Sequence, residues 1–291
     1  MANQLPGPGE VFLDHTAFFV PAMDAAAGAL ERCGFRLTPF TAQTNHEDGA
    51  TVLSGTSNRC AMLHNGYVEV LTATSETPLA AQLRERIADH PGLHLVALSS
   101  ADTAAAHRRL AEAGFPTQPL VDMRRPVNVP DGVDFARFTI ARLTHGTMPE
   151  GRAQFLTHHT EGLVWPSEML DHPNGAEALT ALWIAADDLA EPVSRYFRFT
   201  GRTARTEGSV TTIKLGRGAL NFATPAYLKE AFGIVPTGKK LPCLVAASIA
   251  VASLPKLETC LAGSGLDYHR TETGIAVTLP PTLGDTLLFH A

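Results

Sequence analysis

Basic residues are too few and too scattered for a nucleic-acid surface. The 291-residue chain carries 23 Lys and Arg against 29 Asp and Glu, a formal charge of −6, with no basic tract. Clustered cations are what replace phosphate counterions, so no nucleic-acid partner is expected. Long apolar runs are missing as well. The most apolar stretch, Cys243 to Leu254, includes two serines and is too short to cross a bilayer, so no membrane partner is expected. Met1 to Gly7 has no cationic segment ahead of an apolar one, so no signal peptide is expected. The four cysteines (Cys33, Cys60, Cys243, Cys260) stand far apart with no CxxC, which excludes a zinc knuckle and argues against a disulfide framework. They read as small buried hydrophobes in a reducing, cytoplasmic setting. Charged residues are only 18% of the chain and hydrophobic residues 45%, enough for a sizeable core and about two domains.

The informative feature is internal repetition. Leu13-Asp14-His15-Thr16-Ala17-Phe18-Phe19-Val20 and Gly92-Leu93-His94-Leu95-Val96-Ala97-Leu98-Ser99 are apolar runs of strand length, each with a histidine near its start. An Ala-rich segment of helical periodicity follows each, Met23 to Cys33 and Asp102 to Ala113, and each stops at a Gly-Phe pair, Gly34-Phe35 or Gly114-Phe115. Glycine accepts the left-handed conformation that closes a helix. The offset between copies is 79 residues at the histidines and 80 at the glycines. Strand-like stretches follow: Thr51 to Leu53, Cys60 to Leu63 and Tyr67 to Thr72, then Phe135 to Leu143 and Ala153 to His158. The unit therefore reads βαβββ.

The second half repeats the plan with weaker lettering, from Ala181 to Ala223 and from Val245 to His290. The expected fold class is α+β: four βαβββ units in two pairs, each pair a cupped, mostly antiparallel sheet with helices on its outer face. The expected division is a first pair over residues 1–160, a linker over 161–178 marked by Pro166, Pro173 and Gly175, and a degenerate second pair over 179–291. A cup lined by strand side chains is a natural cavity for a small-molecule substrate.

Side chains alternate faces along a strand. If His15 points into the first cup, so do Ala17 and Phe19. The repeat sets His94 against His15, and Gln154 against Glu69. Two imidazoles and a carboxylate make a metal triad with open positions, and Gln154 becomes a weak fourth ligand or a donor to a bound oxygen. In His158-His159 only one ring can face inward; counting from Gln154 it is His158, a candidate acid/base group or substrate contact.

These pairs, with histidines on first strands and a glutamate on a last strand, resemble the vicinal oxygen chelate superfamily of glyoxalases, bleomycin-resistance proteins and extradiol dioxygenases. Gly55-Thr56-Ser57-Asn58-Arg59, Gly66-Tyr67-Val68-Glu69-Val70-Leu71, Leu163-Val164-Trp165 and His172-Pro173-Asn174-Gly175-Ala176 resemble its glyoxalase-like domain family. The resemblance implies a divalent metal (Fe, Mn, Ni, Co or Zn) held by His15, Glu69 and His94. Gln154 departs from the family, where many members carry a second glutamate. The second pair has no matching set: its first strands offer Thr180 and Ala246 or Ala247, its last strands Asn221 and Thr286.

Two functional classes follow. One is a metal-dependent enzyme, a lyase, isomerase or dioxygenase, acting on a substrate chelated through neighbouring oxygens. The other is a metal-free binding protein whose cup is lined by Phe18 or Phe19, Phe35, Tyr67 and Phe155. Arg137 is a candidate contact for an anionic substrate, with a surface salt bridge as the plainer reading. Either imidazole, taken alone, could be a core histidine bonded to backbone, and Glu69 could pair with Arg59. The Val121 to Val133 stretch, with Arg124-Arg125, reads as a long loop, solvated or lying over the cup. His172 reads as structural. A homodimer is left open.

Overall fold

In the computed structural model, which describes residues 4–47, 50–129 and 131–291, the chain is an α+β protein with two sheets and seven α-helices among those residues. The first half runs β1 (Phe12–Phe19), α1 (Met23–Arg32), β2 (Thr41–Glu47), β3 (Ala50–Met62), β4 (Tyr67–Ala73), α2 (Pro78–Asp89), β5 (Gly92–Leu93), β6 (Leu95–Ser99), α3 (Thr103–Glu112), β7 (Val121–Val129), β8 (Gly132–Arg142) and β9 (Arg152–His158). A short α4 (Glu161–Val164) leads to the second half. That half runs β10 (Ala176–Ala185), α5 (Ala190–Thr200), β11 (Ala204–Glu207), β12 (Val210–Lys214), β13 (Ala219–Ala223), α6 (Pro225–Phe232), β14 (Cys243–Val251), α7 (Leu254–Leu261), β15 (Asp267–Arg270), β16 (Ile275–Thr278) and β17 (Thr286–His290).

Local chemistry sets the repeat landmarks. Helix α1 buries Met23, Ala26, Ala27, Ala29 and Leu30, an apolar stripe at helical spacing. It ends where Phe35 N donates to Leu30 O (3.1 Å) and Gly34 N to Glu31 O (3.0 Å), with Gly34 at φ +87°. Helix α3 ends identically: Phe115 N to Leu110 O and Gly114 N to Ala111 O, both 3.0 Å. These are two Schellman closures, in which the glycine takes the left-handed turn and the phenylalanine returns to the core. At its other end the Asp102 side chain accepts from Ala105 N (2.9 Å), a cap worth about 1 kcal/mol.

The first sheet is ordered β4-β3-β2-β7-β8-β9-β6-β1-β5, and β1 also pairs parallel with β4. The sheet therefore closes on itself as a barrel, where an open cup was expected. The closing seam is β2 on β7, Thr44 opposite Arg124 and Asn45 opposite Met123. Val121 to Val133 is not a loop: β7 and the start of β8 form a hairpin there, which turns Arg125 into the barrel. The second sheet, β11-β12-β13-β10-β14-β17-β16-β15, stays open. Outward side chains of both sheets share one continuous core with α1, α3, α5 and α7, from Leu30 and Leu110 to Phe199 and Leu257. The four cysteines are free. Among the described residues no helix is long and apolar enough to cross a membrane.

The linker closes one end of the barrel. Trp165 Nε1 donates to Gly66 O (3.3 Å), and its ring packs edge-on to His158 and Tyr67. His172 is a brace: Nε2 bonds Met62 O (2.7 Å) and Nδ1 accepts from Arg36 N (3.0 Å).

Candidate active site

A narrow cavity occupies the barrel. Strict alternation builds its wall. Strand β4 contributes Tyr67, Glu69 and Leu71; β3 contributes Asn58 and Met62; β8 contributes Phe138, Ile140 and Arg142; β9 contributes Arg152, Gln154 and Leu156. His15, Gln43, Leu95, Met123, Arg125 and Val164 complete it.

Strand β1 breaks the alternation usefully. Its register against β6 slips between Leu13 and His15, a β-bulge that turns consecutive residues the same way. Leu13 belongs to the outer core, whereas Asp14 and His15 both reach inward. Asp14 Oδ1 meets His15 Nδ1 at 2.7 Å, and Asp14 Oδ2 meets His158 Nε2 at 2.8 Å. The carboxyl group is fully buried. Burial alone would raise its pKa, but the His158 charge and the hydrogen bonds of both imidazoles outweigh that and hold it far below the usual carboxylate range. Asp14 is thus a buried carboxylate shared by two rings. With Nδ1–H committed to Asp14, His15 keeps the Nε2 lone pair on the cavity side, stacked against Tyr67 at 4.3 Å between centroids.

Glu69 faces the cavity from β4. Gln43 Nε2 (3.0 Å) and Asn58 Nδ2 (2.6 Å) both donate to its Oε1, so it does not pair with Arg59, which bonds Glu31 instead. Arg142 is only 6% exposed. Burial draws its pKa down to about 10 and Glu69 opposes the fall; burial and then Arg142 draw Arg152 down to about 9. Both stay cationic at neutral pH. Among the described residues neither guanidinium donates a hydrogen bond, and the buried Arg142 Nε and Gln154 Oε1 have no partner at all. Arg152 lies over the Phe19 ring at 5.4 Å.

The expected site residues divide as follows. His15, Glu69, Gln154 and Tyr67 come together on the wall. His94 does not join them: its ring packs on His90 (4.3 Å), its Nε2 bonds His90 O (2.8 Å), and burial pulls its pKa down to about 3. The reason is register. Ala17 pairs with Glu69, and Ala97 with Gln154, so the repeat offset on these strands is 80 and the counterpart of His15 is Leu95. A slip of one residue reverses the face. Phe155 points outward by the alternation that turns Gln154 in, and packs on Phe199 at 5.2 Å under Arg109. Arg137 lies on the outer, exposed face of β8. Phe19 is buried in the barrel core but does not line the cavity, and neither does His158. Asp14, Arg125, Arg142 and Arg152 were missed. Counting back by two from Gln154 reaches Arg152; Asp14 needs the bulge and Arg142 the strand register, which the sequence does not display.

This donor set does not fit a divalent metal. Among the described residues no three His, Cys, Asp or Glu side chains are arranged to hold a metal ion, and in the Asp14–His15–His158 cluster both carboxylate oxygens are taken up by ring nitrogens. Leu95 stands where a second imidazole is required, Glu69 is engaged by two amides, and three guanidiniums line the space an ion would share.

Residues 13–200 match the glyoxalase-like domain family. No curated protein gave a match. Among solved structures the fold is similar to that of a Staphylococcus aureus protein described as hypothetical (TM-score 0.65, 11% identity, 96% of this chain and 99% of that one). It is also similar to a triple mutant of 4-hydroxymandelate synthase from Streptomyces coelicolor (0.53, 12%, 96% and 92%). A third similar structure is a Mn(II)-bound glyoxalase from Novosphingobium aromaticivorans (0.53, 10%, 96% and 81%).

Proposed function

The chain belongs to the glyoxalase-like domain family, and from that premise we propose that it is an enzyme moving a proton on one small molecule held inside the first barrel, with His15 as the acid/base group. The observation that carries this reading is the Asp14–His15 pair at the cavity wall, 2.7 Å apart and buried. A carboxylate on Nδ1 sets the ring's tautomer and orientation, and it stabilises the imidazolium formed when Nε2 takes a proton. His158 is a positioning residue: it holds the second oxygen of Asp14 and so fixes the carboxylate against His15. Gln154 offers its amide to a bound oxygen. Tyr67 fixes the plane of the His15 ring, while Leu71, Leu95 and Leu156 exclude water around it.

This reading keeps the enzyme class expected of the family and sets aside the resident metal, because the donor set described above is short of ligands and crowded by cations. Four βαβββ units in two pairs remain our reading of the organisation, with the site in residues 1–160, a linker over 161–178 and a site-poor second pair over 179–291. The order strand, helix, three strands in each stretch supports it. So does the parallel pairing of first and last strands in each: β1 with β4, β6 with β9, β10 with β13 and β14 with β17.

The test is proton exchange. Chelator-treated protein is incubated in D2O with a panel of 2-oxo acids, 2-hydroxy acids and hydroxyketones, and loss of the α-proton signal is followed by NMR. Exchange that falls about 10²–10⁴-fold in folded His15→Ala supports the reading. Exchange unchanged in that variant refutes it, and binding without exchange in the native protein would make the chain a binding protein instead.

A further inference from the structure

The cavity's charge count is out of balance. Among the lining side chains three guanidiniums (Arg125, Arg142, Arg152) face one carboxylate (Glu69), an excess of two positive charges in a space walled by Met62, Leu71, Leu95 and Leu156, while the Asp14 carboxylate behind the wall is taken up by His15 and His158. Burying a cation away from water is costly unless something pairs with it. Two other cations of this protein obey that rule. Arg195 is held by Glu150 through both terminal nitrogens, at 2.8 and 2.9 Å, and Lys239 by Asp285. Among the described residues Arg142 and the half-buried Arg152, unlike these two, donate no hydrogen bond, and Arg142 Nε, on a residue 6% exposed, is without a partner. The unpaired acceptor Gln154 Oε1 lies directly across the ladder from Arg142, on the next strand.

The geometry points to a small dicarboxylate as the ligand of this cavity, bound by Arg142 and Arg152 with no metal between. A guanidinium presents its N–H groups in a planar fork that matches a carboxylate's two oxygens, which is how unpaired donors of this kind are satisfied. Two carboxylates cancel the excess of two charges. The inference deepens the reading above and rests on the barrel cavity being the substrate site. Binding to the guanidiniums sets the anion on the β8–β9 side and leaves the carbon between its carboxylates for His15 on β1. Glu69 stays with its two amides and repels a wrongly turned anion. In this account the arginines supply the positive charge at the oxyanions that a metal would otherwise supply.

The experiment is equilibrium binding to chelator-treated full-length protein by calorimetry, which requires no turnover. The probes are malonate and succinate, their neutral diamides, acetate and inorganic phosphate. Malonate or succinate binds, the diamides do not, and acetate is weaker. Arg142→Gln and Arg152→Gln each weaken the dicarboxylate about 10–100-fold, whereas Arg137→Ala, which removes an equal charge from the outer face, leaves it unchanged. Near-ultraviolet circular dichroism shows that each variant is folded. Added Mn(II) leaves the affinity unchanged. Diamides or acetate binding as tightly as malonate, phosphate binding in place of both dicarboxylates, a dicarboxylate affinity indifferent to Arg142 and Arg152, or binding that appears only with Mn(II) would each overturn the proposal. Dicarboxylate binding without proton exchange leaves this inference standing and removes the enzymatic one. Exchange on an uncharged hydroxyketone, with no dicarboxylate binding, does the reverse.

Discussion

Replacing Asp14 by asparagine changes two atoms' chemistry and almost no volume, at a residue with no exposed surface. The native carboxylate accepts from His15 at 2.7 Å and from His158 at 2.8 Å. Asparagine retains one acceptor oxygen and sets an amide N–H₂ against the other imidazole's N–H. One charge-assisted hydrogen bond is lost, worth about 1.5–3 kcal/mol, and a buried donor is left unpaired at about 1–3 kcal/mol. His158 cannot absorb the change by switching tautomers, because its Nδ1 lies among Phe138 and Trp165 with no partner. The expected loss is about 3 kcal/mol, which at roughly 2–4 °C per kcal/mol lowers the thermal midpoint by about 6–12 °C. Acid dependence provides a second readout. Asp14's folded pKa is depressed below its ordinary 3.8, so its stabilisation is present above that value and is lost as pH falls through the depressed one. The gap between native and Asp14→Asn midpoints therefore persists at pH 5 and above and narrows below about pH 4. Midpoints followed by circular dichroism from pH 8 to pH 3 measure both. A fall of less than about 2 °C at pH 7 would show that the two imidazoles do not depend on this carboxylate, and the argument for His15 would go with it.

Other perturbations probe the frame around the site. Glu150→Ala removes one of the two carboxylates on Arg195, Glu191 remaining at 2.8 and 2.9 Å, and should cost about 1.5–3 kcal/mol in urea unfolding; a cost below about 0.5 kcal/mol would show the Glu150 contact to be dispensable. Gly34→Ala meets both a positive φ and Asn174 Cβ at 2.8 Å, so it should destabilise by more than about 1 kcal/mol, and an unchanged midpoint would refute the Schellman assignment. Phe155→Ala should cost about 3–5 kcal/mol yet leave malonate affinity unaltered, since the ring packs outside the barrel; a weakened affinity would place it in the site. Exhaustive chelation should leave the thermal midpoint where it was, and a fall would reveal a structural metal.

Repetition was the most legible property of this chain. Gly-Phe at the ends of two Ala-rich segments announced a helix closure, because a left-handed glycine followed by a returning aromatic is a local device that needs few distant partners. The linker residue His172 reads as structural and bonds Met62 O, and Asn174 beside it bonds Cys33 O. Legibility failed where one residue of register decided the outcome. The histidine offset of 79 and the glycine offset of 80 differ by one, and on a strand that difference takes His94 off the cavity wall, where Leu95 stands instead, and packs its ring on His90 and Phe19. The hairpin of β7 and β8 was hidden because Pro126 and the paired arginines look like loop chemistry. Pairing with β2 and β8 gives that segment its backbone hydrogen bonds.

What the amino-acid order determined alone was the local alphabet: which stretches extend, which coil, where each helix closes, and that the plan recurs. Those outcomes depend on neighbours within a few residues, so they survive being read in one dimension. Tertiary structure alone decided that the first sheet closes on itself, that a bulge sends Asp14 and His15 inward together, and that one arginine from each of the neighbouring strands β7, β8 and β9 turns into one cavity. The closure and the bulge follow from pairing segments far apart in the chain, such as His15 with Tyr67 and Leu13 with Leu98, and the arginines from the register of the β7–β8–β9 ladder. In each, every ladder hydrogen bond must be matched at once and a single slip turns a polar site into a solvated face.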